Sequence, residues 1–213
     1  MKLETNNIDQ VNAALGLLDR EVWIVTAAAG ERRGGLLATW VASASIDRER
    51  PVLLAAIAPI HFTAELIDAS RAFAAHLLRE DQTDLAWNFA RDSGRDRDKL
   101  AGLCALETRR VSEGVNPSST GAPVLSDCLA WFTCRVIARY DAGDRLYYWA
   151  DIAAGEQLHP GQPLRQQTLF RSLTQDQLAH LSACQRADAE TLRPRHEAWR
   201  QKVASQHPDW PSC

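Results

Sequence analysis

The sequence predicts a mainly β protein, a small antiparallel barrel with helices at its periphery. Six segments rich in β-branched, aromatic or alternating apolar residues predict strands, at residues 21–29, 34–45, 51–58, 72–78, 128–139 and 144–154. The links between the first three are too short for a crossover helix, so these strands are expected to pair antiparallel. One helix is expected after the third strand, and two more form a C-terminal helical extension.

Composition is typical of a soluble globular protein. Of the 213 residues, 46% are hydrophobic and 24% are charged. We expect an N-terminal helix in residues 1–20, a barrel domain in 21–156 and the helical extension in 157–213. A net charge of −3 gives no basic excess that would favour nucleic acid. No apolar run reaches the roughly 18–20 residues that cross a bilayer, and the polar N-terminus lacks a signal-peptide core, which favours the cytoplasm.

The cysteines indicate neither a disulfide framework nor a metal site. They are Cys104, Cys128, Cys134, Cys184 and Cys213. Their number is odd, none forms a CxxC pair, and a cytoplasmic compartment is reducing. We expect small buried apolar side chains and one exposed thiol at the C-terminus. No His/Cys cluster has metal-ligand spacing, so no metal is predicted.

The unusual stretch is residues 34–45, GGLLATWVASAS, which we interpret as one strand. Core strands normally present Val, Ile, Leu and aromatic residues, whereas this one carries small and hydroxyl residues. Small side chains let another group approach the backbone closely. That group could be a neighbouring subunit or a ligand. The glycines Gly30, Gly34 and Gly35 before and within this stretch predict a hairpin turn.

A helix is predicted to begin near residue 64, directly after the third strand. Thr63 is the expected N-cap, and Phe62 and Ile67 would form a hydrophobic staple. The first turn of a helix has free N–H groups and a partial positive charge, which suit an anion such as phosphate. Thr63 and His61 could add a hydroxyl and an imidazole. An ordinary capped helix without a ligand explains the same residues.

The next segments give further expectations. Strand 72–78 would turn Phe73 and Ala75 towards the core and His76 towards solvent. Residues 81–90 predict a short amphipathic helix. The charged run at 91–99 is either a solvated surface or a source of cations, Arg95 or Lys99, for a phosphate. The polar loop at 103–123 is a candidate substrate entrance.

The C-terminal half predicts a second hairpin and two helices. Strands 127–139 and 144–153 are joined at 140–143, and the set that contains Phe132 and Cys134 is expected to face the interior. Helices are expected at residues 7–18, at 174–187 with a capping box of Thr174 and Gln177, and at about 194–205. The first would cover one end of the core. The C-terminal pair would cover a barrel edge or embrace a second subunit.

Eight sequence pieces in a fixed order carry a family resemblance over residues 20–155. They are VWIVTA, GGLLATWVASASID, RPVLLAAIAP, HFTAELI, AFAAHLL, SGRDRDKLAG, GAPVLSDCLAWFTCRV and YDAGDRLYYWADI. Each piece is weak alone, but together they resemble the flavin reductase-like family of FMN-binding split barrels, which is related to pyridoxamine-phosphate oxidases. The resemblance implies a six-stranded antiparallel Greek-key split β-barrel that dimerises, with FMN, or alternatively FAD, near the subunit interface.

The resemblance also implies an activity. An FMN-dependent oxidoreductase would move a hydride or electrons between NAD(P)H, flavin and an acceptor, with the flavin carrying the redox chemistry. Two alternatives stay open: a flavin-binding electron-transfer protein without direct NAD(P)H oxidation, and a non-enzymatic split-barrel dimer that binds another ligand.

Carried over to this chain, residues 37–45 would run along the isoalloxazine and ribityl chain. The hydroxyls of Thr39 and Ser43 would meet ribityl or phosphate, His61 and Thr63 would lie at the phosphate, and Arg95 or Lys99 would add charge. The implied cofactor-binding residues are Leu37, Ala38, Thr39, Trp40, Val41, Ser43, Ala44, Ser45, His61, Phe62, Thr63, Arg95 and Lys99. No catalytic residue is assigned.

The chain departs from the family pattern at two places. Members often have Asn-Gly-Met-Thr where this chain has Gly-Gly-Leu-Leu at 34–37, so an amide and a hydroxyl are lost. The family's reductases often have Gly-Asp-His in the last hairpin, and this chain has Gly143-Asp144-Arg145. Arg145 keeps a cation that could pair with a nucleotide phosphate but cannot replace imidazole chemistry. Trp40 is also unusual and could stack beside the flavin or fill a dimer interface.

Overall fold

The computed structural model describes residues 5–103 and 120–206, and these form one antiparallel sheet with helices around it. The strands are β1 (Trp23–Ala29), β2 (Arg32–Ala38), β3 (Val41–Ser43), β4 (Val52–Ile57), β5 (Ala72–Leu77), β6 (Ala130–Asp141) and β7 (Leu146–Gln157). The helices are α1 (Thr5–Leu15), α2 (Phe62–Ser70), α3 (Thr83–Ala90), α4 (Gln166–Ser172) and α5 (Gln175–Gln206). None of these helices is long and apolar enough to cross a membrane.

The described sheet has seven strands, in the order β2-β1-β5-β6-β7-β4-β3, where six were expected. The extra strand arises because residues 34–45 do not form one strand. The chain leaves β2 at Ala38 and enters β3 at Val41, and these two strands are the opposite edges of the sheet. A flat seven-stranded sheet would hold its edges roughly 29 Å apart, whereas Ala38 and Val41 can be separated by at most about 11 Å. The sheet therefore curls enough to bring the end of β2 near the start of β3, and Thr39 and Trp40 join the two strands.

The first hairpin turn is tighter than expected. Ala29 pairs with Arg32, so the turn is at Gly30 and Glu31, and Gly34 and Gly35 lie within β2. A Cβ on Gly35 would lie 2.7 Å from the Phe89 ring. This glycine therefore permits α3 to pack closely on the strand and is not a turn residue.

Two hydrophobic clusters cover the two faces of the sheet. Val25 and Cys134 belong to one cluster, and Ile24 and Trp131 to the other. Phe132 is half-buried and packs against the first cluster, which contains Cys134, so the predicted face of β6 is covered. Since Trp131 is fully buried as well, both faces of β6 are covered near its start.

The prediction that His76 faces solvent is wrong. Its side chain is fully buried, with Nδ1 at 3.0 Å from the Ile24 carbonyl oxygen and Nε2 accepting a hydrogen bond from the Leu125 N–H at 3.1 Å. Desolvation lowers the pKa of His76 to about 4, against the opposing effect of the hydrogen bond to Ile24. The second hydrophobic cluster covers the face of β5 that was expected to meet water.

Three helix predictions require correction. Residues 16–18 lie outside α1, and its apolar residues Ile8, Val11 and Leu15 are exposed instead of covering the core. Helix α2 begins at Phe62 with His61 as its N-cap, so Thr63 is a buried first-turn residue and the expected staple positions do not apply.

The C-terminal extension is one long helix after a short one. Helix α5 continues through Pro194, where two helices were expected. Pro194 and its i−4 neighbour Glu190 are both exposed, so water can satisfy the carbonyl that loses its helical partner. The capping box is confirmed, because the Thr174 N–H donates to Gln177 Oε1 at 2.8 Å and the Gln177 N–H donates to Thr174 Oγ1 at 3.3 Å.

The cysteine prediction holds in part. Cys128 and Cys134 are buried, and burial raises the pKa of each thiol to about 12. Cys184 is exposed on α5, contrary to the expectation. Cys104 and Cys213 lie outside the described residues, as does most of the polar loop at 103–123 that was a candidate entrance.

Candidate functional site

A cleft of about 930 Å³ opens where the two edges of the sheet meet. Its wall is built from the β2–β3 connection, the end of β4, the start of α2, the segment after α3, the β6–β7 turn, and helices α4 and α5. The volume is within the range of small-molecule sites. The fold therefore places one large concavity at its most irregular point, where strand pairing is interrupted.

Four predicted residues at the β2–β3 connection line this cleft: Leu37, Ala38, Thr39 and Trp40. Although Trp40 is outside β3, its carbonyl oxygen accepts a hydrogen bond from the Ala56 N–H at 2.9 Å. This bond fixes the connection against β4, while the Trp40 side chain remains 42% exposed. The connection thus presents a held backbone and an accessible ring to the cleft.

The start of α2 lines the cleft with His61, Phe62 and Thr63, all three of them predicted. No described side chain caps this helix end, where His61 adopts an extended N-cap conformation. The first-turn N–H groups and the helix dipole give this part of the wall a partial positive charge. His61 Nε2 lies 3.1 Å from Asp188 Oδ2 on α5.

Arg95 and Lys99 also line the cleft, but both are already engaged. Arg95 donates to the Ile60 carbonyl oxygen at 3.0 Å and to Glu65 Oε1 at 2.6 Å, and its guanidinium carbon lies 5.6 Å from the centre of the Phe62 ring. Arg95 therefore connects the segment after α3 to the start of α2.

Lys99 is almost fully buried, so the charged run at 91–99 is not a purely solvated surface. Its Nζ donates to the Phe89 carbonyl oxygen at 2.7 Å. Desolvation, followed by the nearby charge of Arg97, lowers the pKa of Lys99 to about 8. Lys99 is therefore a cation at the base of the cleft wall.

The remaining predicted residues do not line the cleft. Val41 is buried in the first hydrophobic cluster, and residues 43–45 are exposed or half-buried at the far end of β3. Ser45 Oγ accepts a hydrogen bond from the Asp47 N–H at 3.0 Å, so it shapes the turn before β4. These residues were grouped with Thr39 because 34–45 was interpreted as one strand, and the change of strand at residues 39–40 separates them.

The β6–β7 turn contributes Asp144 and Arg145. The guanidinium carbon of Arg145 lies 5.1 Å from the centre of the Trp40 ring, which is a cation–π distance. Its Nη1 donates to the Asp144 carbonyl oxygen at 2.8 Å. Arg145, which departs from the family pattern, therefore lies over the ring of Trp40, the other unusual residue of the site.

Sequence reasoning missed helix α5 as a wall of the cleft. Its lining residues recur at helical spacing and are Leu181, Cys184, Gln185, Asp188, Ala189, Leu192, Arg193 and His196. Gly143 permits the approach of the helix to the β6–β7 turn, because its φ is +85° and a Cβ there would lie 2.7 Å from His196 Cα. The stripe mixes apolar and polar residues, so hydrophobic periodicity does not reveal it.

A buried acceptor in the wall has no partner among the described residues. It is Oε1 of Gln166, at the start of α4 beside Arg20. Buried polar atoms in native proteins are nearly always hydrogen-bonded. This atom is itself buried, so it is not an open acceptor in the cleft wall. The accessible Trp40 ring and the uncapped start of α2 suit a ligand that has a flat ring and an anionic end.

Comparison with known proteins identifies the class. The model of the flavin reductase like domain family matches residues 15–169, and the chain belongs to this family. The match confirms the resemblance deduced from the eight sequence pieces. It ends before α5 begins, so one wall of the cleft is supplied by a segment outside the matched domain.

Two relatives illustrate the range of proteins that contain such a domain. Actinorhodin polyketide dimerase of Streptomyces coelicolor is 35% identical over 122 residues, which are 56% of this chain and 62% of the relative. Diflavin flavoprotein A 1 of Synechocystis sp. is 26% identical over 143 residues, which are 67% of this chain and 23% of the relative. The chain therefore spans less than two thirds of either relative.

Solved structures share the fold. The NADH:FAD oxidoreductase SgcE6 of Streptomyces globisporus has a TM-score of 0.63 at 18% identity, over 78% of this chain and 91% of that one. The FMN-binding protein of Thermus thermophilus has a TM-score of 0.57 at 23% identity, over 69% and 78%. These likenesses indicate the curled antiparallel sheet with its flanking helices.

Proposed function

We propose that this protein is an FMN-dependent oxidoreductase that binds its flavin in the cleft and moves a hydride or electrons between NAD(P)H, flavin and an acceptor. The observation that carries the proposal is the convergence of residues 37–40 with residues 61–63 in one cleft of a flavin reductase-like chain. β3 and β4 separate these two segments along the chain, and the family resemblance implies flavin contacts for both.

The phosphate is assigned to the start of α2. The N–H groups of the first helical turn and the His61 imidazole can donate to phosphate oxygens. Lys99 adds a positive charge to the same wall, and Arg95 keeps the wall in place through its contacts with Ile60 and Glu65. Together these groups favour a flavin that carries a phosphate.

The isoalloxazine ring is assigned to the β2–β3 connection. Ala38 leaves space at the backbone, and the exposed Trp40 ring offers a flat surface for stacking. When bound, the flavin supplies the redox chemistry, and the protein supplies position, charge and exclusion of water.

Arg145 favours a second candidate, a flavin-binding electron-transfer protein that does not oxidise NAD(P)H directly. The residue lies at the cleft, over Trp40, where the resemblance implies an imidazole linked to the pyridine nucleotide. A guanidinium can bind a nucleotide phosphate but does not exchange protons near neutral pH. The NADH:FAD oxidoreductase among the structural neighbours supports the reductase assignment instead.

The test is anaerobic spectroscopy of the purified protein. We expect it to bind FMN with a shifted visible absorption spectrum, and NADH or NADPH to bleach that spectrum. Bleaching by neither nucleotide, with dithionite still able to reduce the bound flavin, would leave the electron-transfer candidate. If neither FMN nor FAD binds, the flavin assignment itself is wrong.

A homodimer is part of the proposal. The apolar residues Val11, Leu15 and Leu18 at the N-terminus and Ile137 on β6 are exposed in the single chain. Apolar surface of this kind is suited to a second subunit, and the resemblance implies that the flavin lies near such an interface. Sedimentation equilibrium would measure the oligomeric state.

A further inference from the structure

We propose that Asp188 on α5 is a specificity-determining residue of the cleft, because its carboxylate competes with the flavin phosphate for His61. The inference rests on the proposed flavin site and concerns which flavin that site prefers. It predicts that Asp188 reduces the preference of the protein for FMN over riboflavin, which lacks the phosphate.

The geometry places an anion from the protein where an anion from the ligand is expected. Asp188 Oδ2 lies 3.1 Å from His61 Nε2, and His61 is the N-cap of α2. The carboxylate therefore satisfies the same imidazole and approaches the same positive helix end that would receive a phosphate. Two anions cannot share this position without repulsion.

Asp188 differs from the other carboxylates of the cleft wall. Asp92 lies 3.2 Å from Arg91 and 3.1 Å from Arg97, and these arginines offset its charge. Asp144 lies next to Arg145 in the same turn. The ion-pair partner of Asp188 in the described part of the chain is the residue assigned to the ligand.

The attachment of α5 allows this contact to be exchanged. Among the described residues of this 32-residue helix, only Leu192 is buried. Apart from the close approach at Gly143 and the ring contact between Trp87 and His180, its contacts include exposed polar pairs, such as the Arg195–Asp141 ion pair and the 3.2 Å hydrogen bond from Trp199 Nε1 to Tyr140. Exposed pairs of this kind contribute little to stability, so the helix can yield locally to a phosphate at a small free-energy cost.

The experiment compares the binding of FMN and riboflavin to the wild-type protein and to the Asp188→Asn variant. Dissociation constants are measured by quenching of flavin fluorescence at low ionic strength. We expect the substitution to tighten FMN binding about five- to tenfold and to change riboflavin binding less than about twofold. The effect should shrink in high salt, because the side chains are exposed to screening ions.

Glu190→Gln is the matched control, since Glu190 is an exposed acid on the same helix that does not line the cleft. It should leave the riboflavin dissociation constant divided by the FMN dissociation constant at the wild-type value. His61→Ala should reduce that ratio, and combining it with Asp188→Asn gives a double-mutant cycle that measures the coupling of the two residues.

An unchanged ratio in Asp188→Asn would overturn the inference, and so would equal tightening of both flavins. Weaker FMN binding in this variant would also overturn it, because Asp188 would then orient His61 for the phosphate. If neither flavin binds the wild-type protein, the proposed function fails and the inference fails with it. Binding of FMN with an unaltered ratio refutes the inference alone.

Discussion

The burial of His76 predicts that the protein loses stability as the pH falls from 7 to 5. The Leu125 N–H donates to Nε2, so this nitrogen carries no proton, and Nδ1–H donates to the Ile24 carbonyl oxygen. The neutral ring satisfies both neighbours. Protonation would place a second N–H against the Leu125 N–H in a site without access to water.

The magnitude follows from linkage. The pKa of His76 is lowered from 6.5 to about 4 in the folded protein. Between these values the unfolded chain binds a proton that the folded protein does not, so stability rises with pH. The contribution is fully present above pH 6.5 and is lost as the pH falls to about 4. It amounts to about 2 kcal/mol between pH 7 and pH 5 and about 3 kcal/mol in total.

The assay is urea denaturation of the flavin-free protein at pH 7 and pH 5, with His76→Gln as the comparison. Glutamine offers one donor and one acceptor and does not titrate. Between pH 7 and pH 5, the free energy of unfolding of the variant should fall by about 2 kcal/mol less than that of the wild type. This difference does not depend on how much stability the substitution costs at pH 7. An equal loss in the two proteins would refute the buried, neutral imidazole.

Three further variants, two single and one double, test the packing and the site. Gly143→Ala should lower the free energy of unfolding by about 1–3 kcal/mol in urea denaturation, because a left-handed alanine would strain the turn and press on the α5 backbone. Gly35→Ala should lower the midpoint of thermal unfolding, with a loss of about 1–3 kcal/mol, because the added methyl would meet Phe89. The double substitution His61→Ala, Thr63→Ala should weaken FMN binding about tenfold or more, and unchanged affinity would show that the phosphate lies elsewhere.

Local signals predicted most of the sheet. The β-branched runs and turn residues gave approximate limits for β1, β4, β5, β6 and β7, because side-chain alternation and turn chemistry are encoded by neighbours in sequence. They failed where tertiary structure decides. The position of His76 depends on which segment covers the outer face of β5, and that segment includes Leu125, 49 residues away.

The β2–β3 region was mispredicted for a related reason. No Pro, Asn or Asp interrupts residues 34–45, so nothing local marks the point at which the chain leaves one edge of the sheet for the other. The boundary is set by closure: Trp40 pairs with β4 through its carbonyl oxygen while Ala38 still pairs with β1. Thr39 therefore lines the cleft and Ser43 does not, although both are hydroxyl residues of the same stretch.

Helix α5 contributes to the cleft from outside the matched family domain. The parts of the cleft that could be assigned from sequence, residues 37–40 and 61–63, lie within the matched family domain. The wall formed by α5 lies outside it, and its mixed stripe gives no hydrophobic signal that a periodicity analysis could detect. The matched segments of a polyketide dimerase and a diflavin flavoprotein are 35% and 26% identical to this chain, which leaves room for local differences at the cleft. The proposed competition of Asp188 with a phosphate at His61 would make α5 such a difference in this chain.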